Sequence, residues 1–355
     1  MTRLTRDDDR TGDLARKLAR RRFLGVAAGT TAAALIGATG ATTASAAPAP
    51  ATAAHGRRRL LPPGRLGIQL YTLRDQTSAL GFARVFEELA RYHYDEVEFA
   101  GYTQDATGPI SLAQLKRLLR DNGLRGVGSH VGYASTDPKA YTFATNLTQV
   151  LDDAEALGLP YVGTPSSPNR YGDTVDAWKR AAEEFNTYGA AAKARGLRFY
   201  QHNHAEEFSF ATDDPSVRLY DVLLAETDPD LVFLEMDIYW AYVAQYRFSK
   251  RPDGTPAPFE PLDYVLKDPH RYPLFHVKDG EHDNAAQDGY RMVDVGDGDI
   301  DYGRFLATVN RRKGHGHRDH HWIVERDDAV DPAANPAGSL STAARSADHL
   351  RHLRG

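Results

Sequence analysis

Residues 199–208 read FYQHNHAEEF. An apolar, strand-like opening runs straight into two histidines, an asparagine and two glutamates. Short runs of this kind recur between helical stretches along the chain, and the recurrence decides the fold. LGIQLYT (66–72), EVEFAG (96–101), GVGSHVG (126–132), YVGTPSS (161–167), RFYQHNH (198–204), VFLEMDIYW (232–240), LFHVKDG (274–280) and HWIVERD (321–327) all read as strands. Between them apolar residues return at helical spacing. Phe82, Val85, Phe86 and Leu89 share one face of FARVFEELARYH (82–93), and Leu112, Leu115, Leu118 and Leu119 share one face of LAQLKRLLRDNG (112–123), which Gly123 stops. An open doubly wound sheet accommodates such alternation. Eight strand–helix units in about 290 residues favour an α/β fold closed into a single (β/α)8 TIM barrel, over residues 66–350.

The chain before the barrel reads differently. Arg20-Arg21-Arg22-Phe23-Leu24 opens a run of Ala, Gly, Thr, Val, Leu and Ile, and Ala44-Ser45-Ala46 supplies small residues for cleavage. This predicts a Tat-type signal peptide over 1–46 and a secreted, extracytoplasmic mature protein. Repeated Gly and Thr make the run too weakly apolar for a comfortable membrane span, so no stable membrane insertion is expected after cleavage. Residues 47–65, rich in Ala, Pro and Arg, are expected to form a disordered linker.

Composition narrows the chemistry. The 355 residues contain no cysteine, which excludes disulfides and thiolate metal sites. The net charge is −5, and removing residues 1–46 takes away eight basic and four acidic side chains, leaving 35 against 44, or −9. So acidic a chain argues against nucleic acid as a partner.

Most of the strands turn polar at their C-terminal ends: Gln69 and Tyr71, Glu98, His130, His202 and His204, Glu235 and Asp237, His276 and Lys278, Glu325 and Asp327. In a barrel these ends meet on one rim. Alternation puts Glu235 with Asp237, His202 with His204, and His276 with Lys278 on shared faces. Inward carboxylates crowded in one low-dielectric mouth repel unless a cation compensates. A mixed oxygen and imidazole set suits a divalent metal, Mn²⁺, Mg²⁺, Co²⁺ or Zn²⁺. A ring of ion pairs, with Lys278, Arg326 and Arg74 neutralising the acids, is the alternative.

Together GIQLYTLRD, VEFAGY, HNHAEEF, LEMDIYW, HVKDG, VGDGDIDY and IVERDD, in this order over residues 66–350, resemble the xylose-isomerase-like TIM barrels, the sugar phosphate isomerase/epimerase group. The resemblance implies a divalent metal held by Asp237, His276 and Glu325. Many members carry a Glu at the fifth strand end, where this chain has His202. Glu207 stands close enough in the following turn to replace it, leaving His202 and His204 to face substrate; His202 as ligand is the alternative.

A metal in that setting polarises a carbonyl, and a nearby base moves a proton. The expected activity is isomerisation or epimerisation of a non-phosphorylated sugar or keto-sugar through a metal-stabilised enediolate. Elimination from a keto-sugar or keto-glycoside at the same site, and non-catalytic sugar binding, are the alternatives. Glu98, His202, His204 and Glu325 are the candidate bases, with Lys278 to stabilise an oxyanion. Gln69, Tyr71, His130, Tyr239 and Trp240 are the expected substrate contacts, a small-molecule carbohydrate being the partner. The histidine-rich HGHRDHH (315–321) precedes the last strand and reads as a solvated turn.

Overall fold

The computed structural model describes residues 58–311 and 320–355. The signal peptide expected over 1–46, the first part of the expected linker, and residues 315–319 of the histidine-rich turn lie outside them. The barrel strands are β1 (Leu66–Gln69), β2 (Glu96–Phe99), β3 (Arg125–Ser129), β4 (Tyr161–Thr164), β5 (Arg198–His202), β6 (Val232–Asp237), β7 (Leu274–Val277) and, after a hairpin of β8 (Asp279–His282) and β9 (Tyr290–Val293), β10 (His321–Val324). All eight pair in parallel in the order β3-β2-β1-β10-β7-β6-β5-β4. The two ends of that order meet where the Val131 N–H donates to the Gly163 carbonyl at 2.8 Å, which closes the barrel.

Helices α1 (Arg74–Arg91), α2 (Leu112–Asp121), α3 (Phe143–Leu157), α4 (Val175–Lys193), α5 (Leu219–Glu226), α6 (Ile238–Arg247), α7 (Pro261–Lys267), α8 (Tyr302–Asn310) and α9 (Ser339–His352) join the strands. Their apolar faces pack on the barrel exterior: Phe82, Val85, Phe86 and Leu89 of α1 are buried, as are Leu115 and Leu119 of α2. Local chemistry sets their ends. Ser111 and Gln114 form a reciprocal capping box at the start of α2, and left-handed Gly158 closes α3. Among the described residues no helix is long and apolar enough to cross a membrane.

Inside the barrel the lower layer is apolar, built from Val127, Tyr161, Tyr200, Phe233, Leu274 and Ile323. Two residues further along the same strands the inward side chains become Glu235, His276 and Glu325, and then Asp237, Lys278 and Asp327. Alternation therefore stacks an apolar floor under a charged mouth.

Three expectations change. The first strand ends at Gln69, and Leu70–Leu73 form a 3₁₀ turn. The sixth ends at Asp237, because the Asp237 carboxylate accepts the Trp240 N–H at 2.9 Å and starts α6, so Tyr239 and Trp240 are helical. The expected linker is attached by residue 58: the Leu60 N–H donates to the Leu353 carbonyl at 3.2 Å, and Leu61 is buried.

Candidate metal centre and active site

The stretch FYQHNHAEEF now has a role for most of its residues. Phe199 packs outside β5 and Tyr200 joins the barrel floor. His202 points into the mouth, where its Nε2 lies 3.3 Å from Asp237 Oδ2. Asn203 grips the next strand, accepting from the Asp237 N–H at 3.1 Å and donating to the Asp237 carbonyl at 3.3 Å. Beyond it, His204 lines the cavity above. Glu207 folds back, buried, to accept the His204 N–H at 2.8 Å.

One donor group stands at the centre. His202, Asp237, His276 and Glu325 each offer a ligand atom, and these atoms lie within 4.8 Å of one another. His276 Nδ1 is 2.8 Å from Glu325 Oε2 and 3.7 Å from Asp237 Oδ2. Despite that proximity, His276 Nδ1 and His202 Nδ1 are buried without a hydrogen-bond partner among the described residues, and Glu325 Oε2 is met by the Lys278 ammonium at 2.9 Å. Two imidazoles and two carboxylates converging this closely fit a shared cation, and the buried ring nitrogens left without a partner would otherwise cost the fold. The residues present therefore fit a divalent metal. Glu207, the first choice of the sequence reading for the fifth-strand ligand, stands outside this group, and His202, its alternative, stands within it.

Lys278, only 1% exposed, reaches into the same centre. Its Nζ is 2.9 Å from both Asp237 Oδ2 and Glu325 Oε2, and 2.8 Å from Asp327 Oδ1. Burial alone would lower the Lys278 pKa, but the three carboxylates, Asp237 foremost, raise it well above the ordinary lysine value. Burial would likewise raise Asp237 and Glu325; Lys278 first, and the neighbouring imidazoles, hold both well below the usual carboxylate range. Burial pushes His202 down to about 3 and His204 down to about 4, so both rings are neutral near pH 7.

Above the donors opens a cavity of about 470 Å³, lined among others by Tyr71, His130, Ser166, His204, Trp240 and Asp327. Its size suits a small ligand. Tyr71 is 44% exposed at the rim with Arg74 stacked on its ring at 3.9 Å, and the Trp240 ring stands beside His204. Tyr239 does not line it. On α6 that ring turns away to pack near Tyr290, where a Cβ on Gly280 would collide with it.

Glu98 and Gln69 lie deeper than the sequence placed them. Glu98 is fully buried and accepts from Gln69 Nε2 at 2.9 Å, from His276 Nε2 at 2.7 Å and from the Tyr200 hydroxyl. With its oxygens so occupied it anchors His276 from below. The Gln69 side chain also accepts the Tyr71 N–H at 3.2 Å. Asp327, Ser166 and Asn203 went unassigned in the sequence reading; Asp327 alone carried a signal, as a polar residue one alternation beyond Glu325.

The sequence profile of the xylose isomerase-like TIM barrels matches residues 86–351. No curated protein matches the chain. Among solved structures, a sugar phosphate isomerase/epimerase from Parabacteroides distasonis is similar at 22% identity and a TM-score of 0.60, over 82% of this chain and 94% of that one. The IOLI protein with a bound zinc atom is similar at 15% identity and a TM-score of 0.57, over 81% and 96%. A D-tagatose 3-epimerase-like protein is similar at 14% identity and a TM-score of 0.53, over 81% and 96%. At these identities the likeness to solved structures concerns the fold.

Proposed function

The chain belongs to the xylose isomerase-like TIM barrels, and on that premise we propose that it is a divalent-metal-dependent isomerase or epimerase of a non-phosphorylated sugar or keto-sugar. The observation that carries the reading is the convergence of His202, Asp237, His276 and Glu325, whose ligand atoms lie within 4.8 Å of one another beneath the cavity. The similar proteins include ones named for sugar isomerisation or epimerisation and one that binds zinc. Two imidazoles and two carboxylates suit Zn²⁺, Co²⁺ or Mn²⁺ better than Mg²⁺, which prefers oxygen.

When bound, such a metal polarises a substrate carbonyl and offsets the charge that develops on its oxygen. The side chains then divide the proton work. Glu325, ionised by its neighbours and open to the cavity, takes a proton from the carbon next to the carbonyl. His204, on the β5 side of the cavity and neutral near pH 7, can accept or relay a proton away from Glu325. Lys278 donates to the substrate oxygen that becomes negative, and Asp327 holds the ammonium in place at 2.8 Å. Tyr71 and Trp240 offer aromatic faces to the apolar side of a sugar ring. The twin arginines at Arg20 and Arg21 support export, which would bring the protein to free rather than phosphorylated sugars. Its negative charge, and the lack of a basic groove around the cavity among the described residues, speak against nucleic acid as substrate.

The test is to strip the protein with EDTA, return Mn²⁺, Co²⁺ or Zn²⁺ separately, and follow keto-sugars by NMR. Isomer or epimer formation that appears only with metal is the expected result. Binding without turnover would favour a sugar-binding barrel. Release of a substituent instead of an isomer would make the enzyme a lyase, and full turnover in metal-free protein would refute the mechanism.

A further inference from the structure

We propose that Asp327 is a positioning residue for the sugar: it fixes the Trp240 indole on the cavity wall, so that the aromatic face, the Lys278 ammonium and the donor group beneath keep one register. The proposal rests on the sugar reading above and adds to it the part that sets how the ring lies.

Asp327 is a carboxylate in excess. Lys278 Nζ already has Asp237 Oδ2 and Glu325 Oε2 at 2.9 Å each. A third acid beside those two adds repulsion, so its place there implies a task that they do not perform. Its two oxygens divide the work. Oδ1 accepts from Lys278 Nζ at 2.8 Å, and Oδ2 accepts from the indole Nε1–H of Trp240 at 3.1 Å. No other described residue accepts that indole N–H.

Trp240 is thereby pinned at both ends. Its backbone N–H donates to Asp237 Oδ1 at 2.9 Å, which ties the first turn of α6 to the metal group, and its ring N–H is tied to Asp327. Between these points the ring centre stands 5.9 Å from that of His204 and 5.7 Å from Lys278 Nζ. A hydrogen bond to an ionised acceptor is short, directional and stronger than a neutral one, and here it sets the plane of the indole.

Asp327 is itself held from several sides. Arg326 before it is buried, with its guanidinium forked between Asp294 Oδ1 at 2.8 Å and Asp328 Oδ1 at 2.7 Å. The Asp327 N–H meets the Met292 sulfur at 3.2 Å, and the Asp327 carbonyl accepts from Arg74 Nη2 at 3.0 Å. Arg74 also donates to the Tyr71 carbonyl at 2.6 Å and stacks on the Tyr71 ring. Both aromatic side chains that offer a face to the sugar are therefore registered to one residue, which lines the cavity with them. Support of this kind keeps a bound substrate within the narrow geometry that proton transfer needs.

The experiment separates a hold on Trp240 from mere neutralisation of Lys278. Native protein, Asp327→Ala, Trp240→Phe (which keeps an aromatic face and removes the N–H) and the double variant are loaded with Zn²⁺ and analysed for metal. Each is then quenched with acrylamide and assayed for turnover of keto-sugars by NMR. Trp178 and Trp322 are 1% and 0% exposed, so Trp240 is the tryptophan that acrylamide reaches. Asp327→Ala should keep its metal and quench more strongly than native protein, and the same change in the Trp240→Phe background should leave quenching as it was. Each single variant should raise KM about tenfold or more, the scale of losing a hydrogen bond to a charged group. The double variant should raise it no further, because both changes break one contact. Native quenching in Asp327→Ala, a loss confined to kcat, KM effects that multiply in the double variant, or metal lost from Asp327→Ala would each overturn the proposal and leave the sugar reading standing. Native protein that turns over no keto-sugar would overturn that reading and this proposal with it.

Discussion

Glu207→Gln separates a ligand from a buried acid that ligates nothing. Burial pushes the Glu207 carboxyl up from 4.5 to about 7, against the weaker opposing pull of backbone N–H groups that include that of His204. A folded-state pKa above the unfolded one means that the fold favours the protonated form. The stability this provides is fully present below about pH 4.5 and is lost as the pH rises through about 7. At about 1.4 kcal/mol per pH unit of displacement, the ionised side chain costs the fold about 3 kcal/mol above pH 7. Glutamine keeps an oxygen for the His204 N–H and never ionises. Glu207→Gln should therefore match the native protein near pH 4.5 and exceed its stability by up to about 3 kcal/mol at pH 8. Urea unfolding at both pH values, in EDTA so that metal binding does not enter, measures the difference. Metal analysis completes the assay: Glu207→Gln should retain the native metal content, and His202→Gln should lose metal. A stability gap that does not grow with pH, or metal lost from Glu207→Gln and kept by His202→Gln, would refute the reasoning.

Lys278→Met leaves Asp237, Glu325 and Asp327 without their ammonium, and in EDTA it should lower unfolding free energy by about 3–5 kcal/mol, the scale for breaking a buried ion pair. Added Zn²⁺ should recover part of that loss, read as a rise in Tm, whereas equal destabilisation with and without metal would separate Lys278 from the metal group. At Gly163 a Cβ would collide with the Tyr200 carbonyl and ring, so Gly163→Ala should destabilise the β4–β5 pair by about 1–3 kcal/mol or more. An unchanged Tm would mean that the barrel closes with more room than this packing allows.

The strand starts were legible because period-2 apolar runs bounded by helical patterns leave little choice of register. Strands expected from 66, 96, 126, 161, 198, 232, 274 and 321 begin at 66, 96, 125, 161, 198, 232, 274 and 321. Strand ends were less legible, since the polar residues that end them also serve the mouth. Asp237 shows why: one side chain both faces His202 and caps α6, and the capping turns Tyr239 out of the cavity. The HNH of FYQHNHAEEF announced a site, but its division of labour depended on depth. Alternation places Glu98 and Glu235 inward without saying how far below the rim they stop, and only the register with His276 puts them under it. The hairpin of β8 and β9 gave no strand pattern. The attachment of residues 58–61 to the C-terminal end follows from contacts between chain ends, which no local pattern reports.

The central claim is that metal and Glu325 together move a proton next to a sugar carbonyl. Metal-loaded protein incubated with keto-sugars in D₂O, followed by ¹H NMR, tests it most directly. The account predicts deuterium at the carbon next to the carbonyl in the isomer or epimer formed, no exchange after EDTA treatment, and exchange slowed about 10²–10⁴-fold in Glu325→Gln, the scale for losing a general base. Product formed without deuterium incorporation, or exchange at the native rate in metal-free protein or in Glu325→Gln, would contradict it.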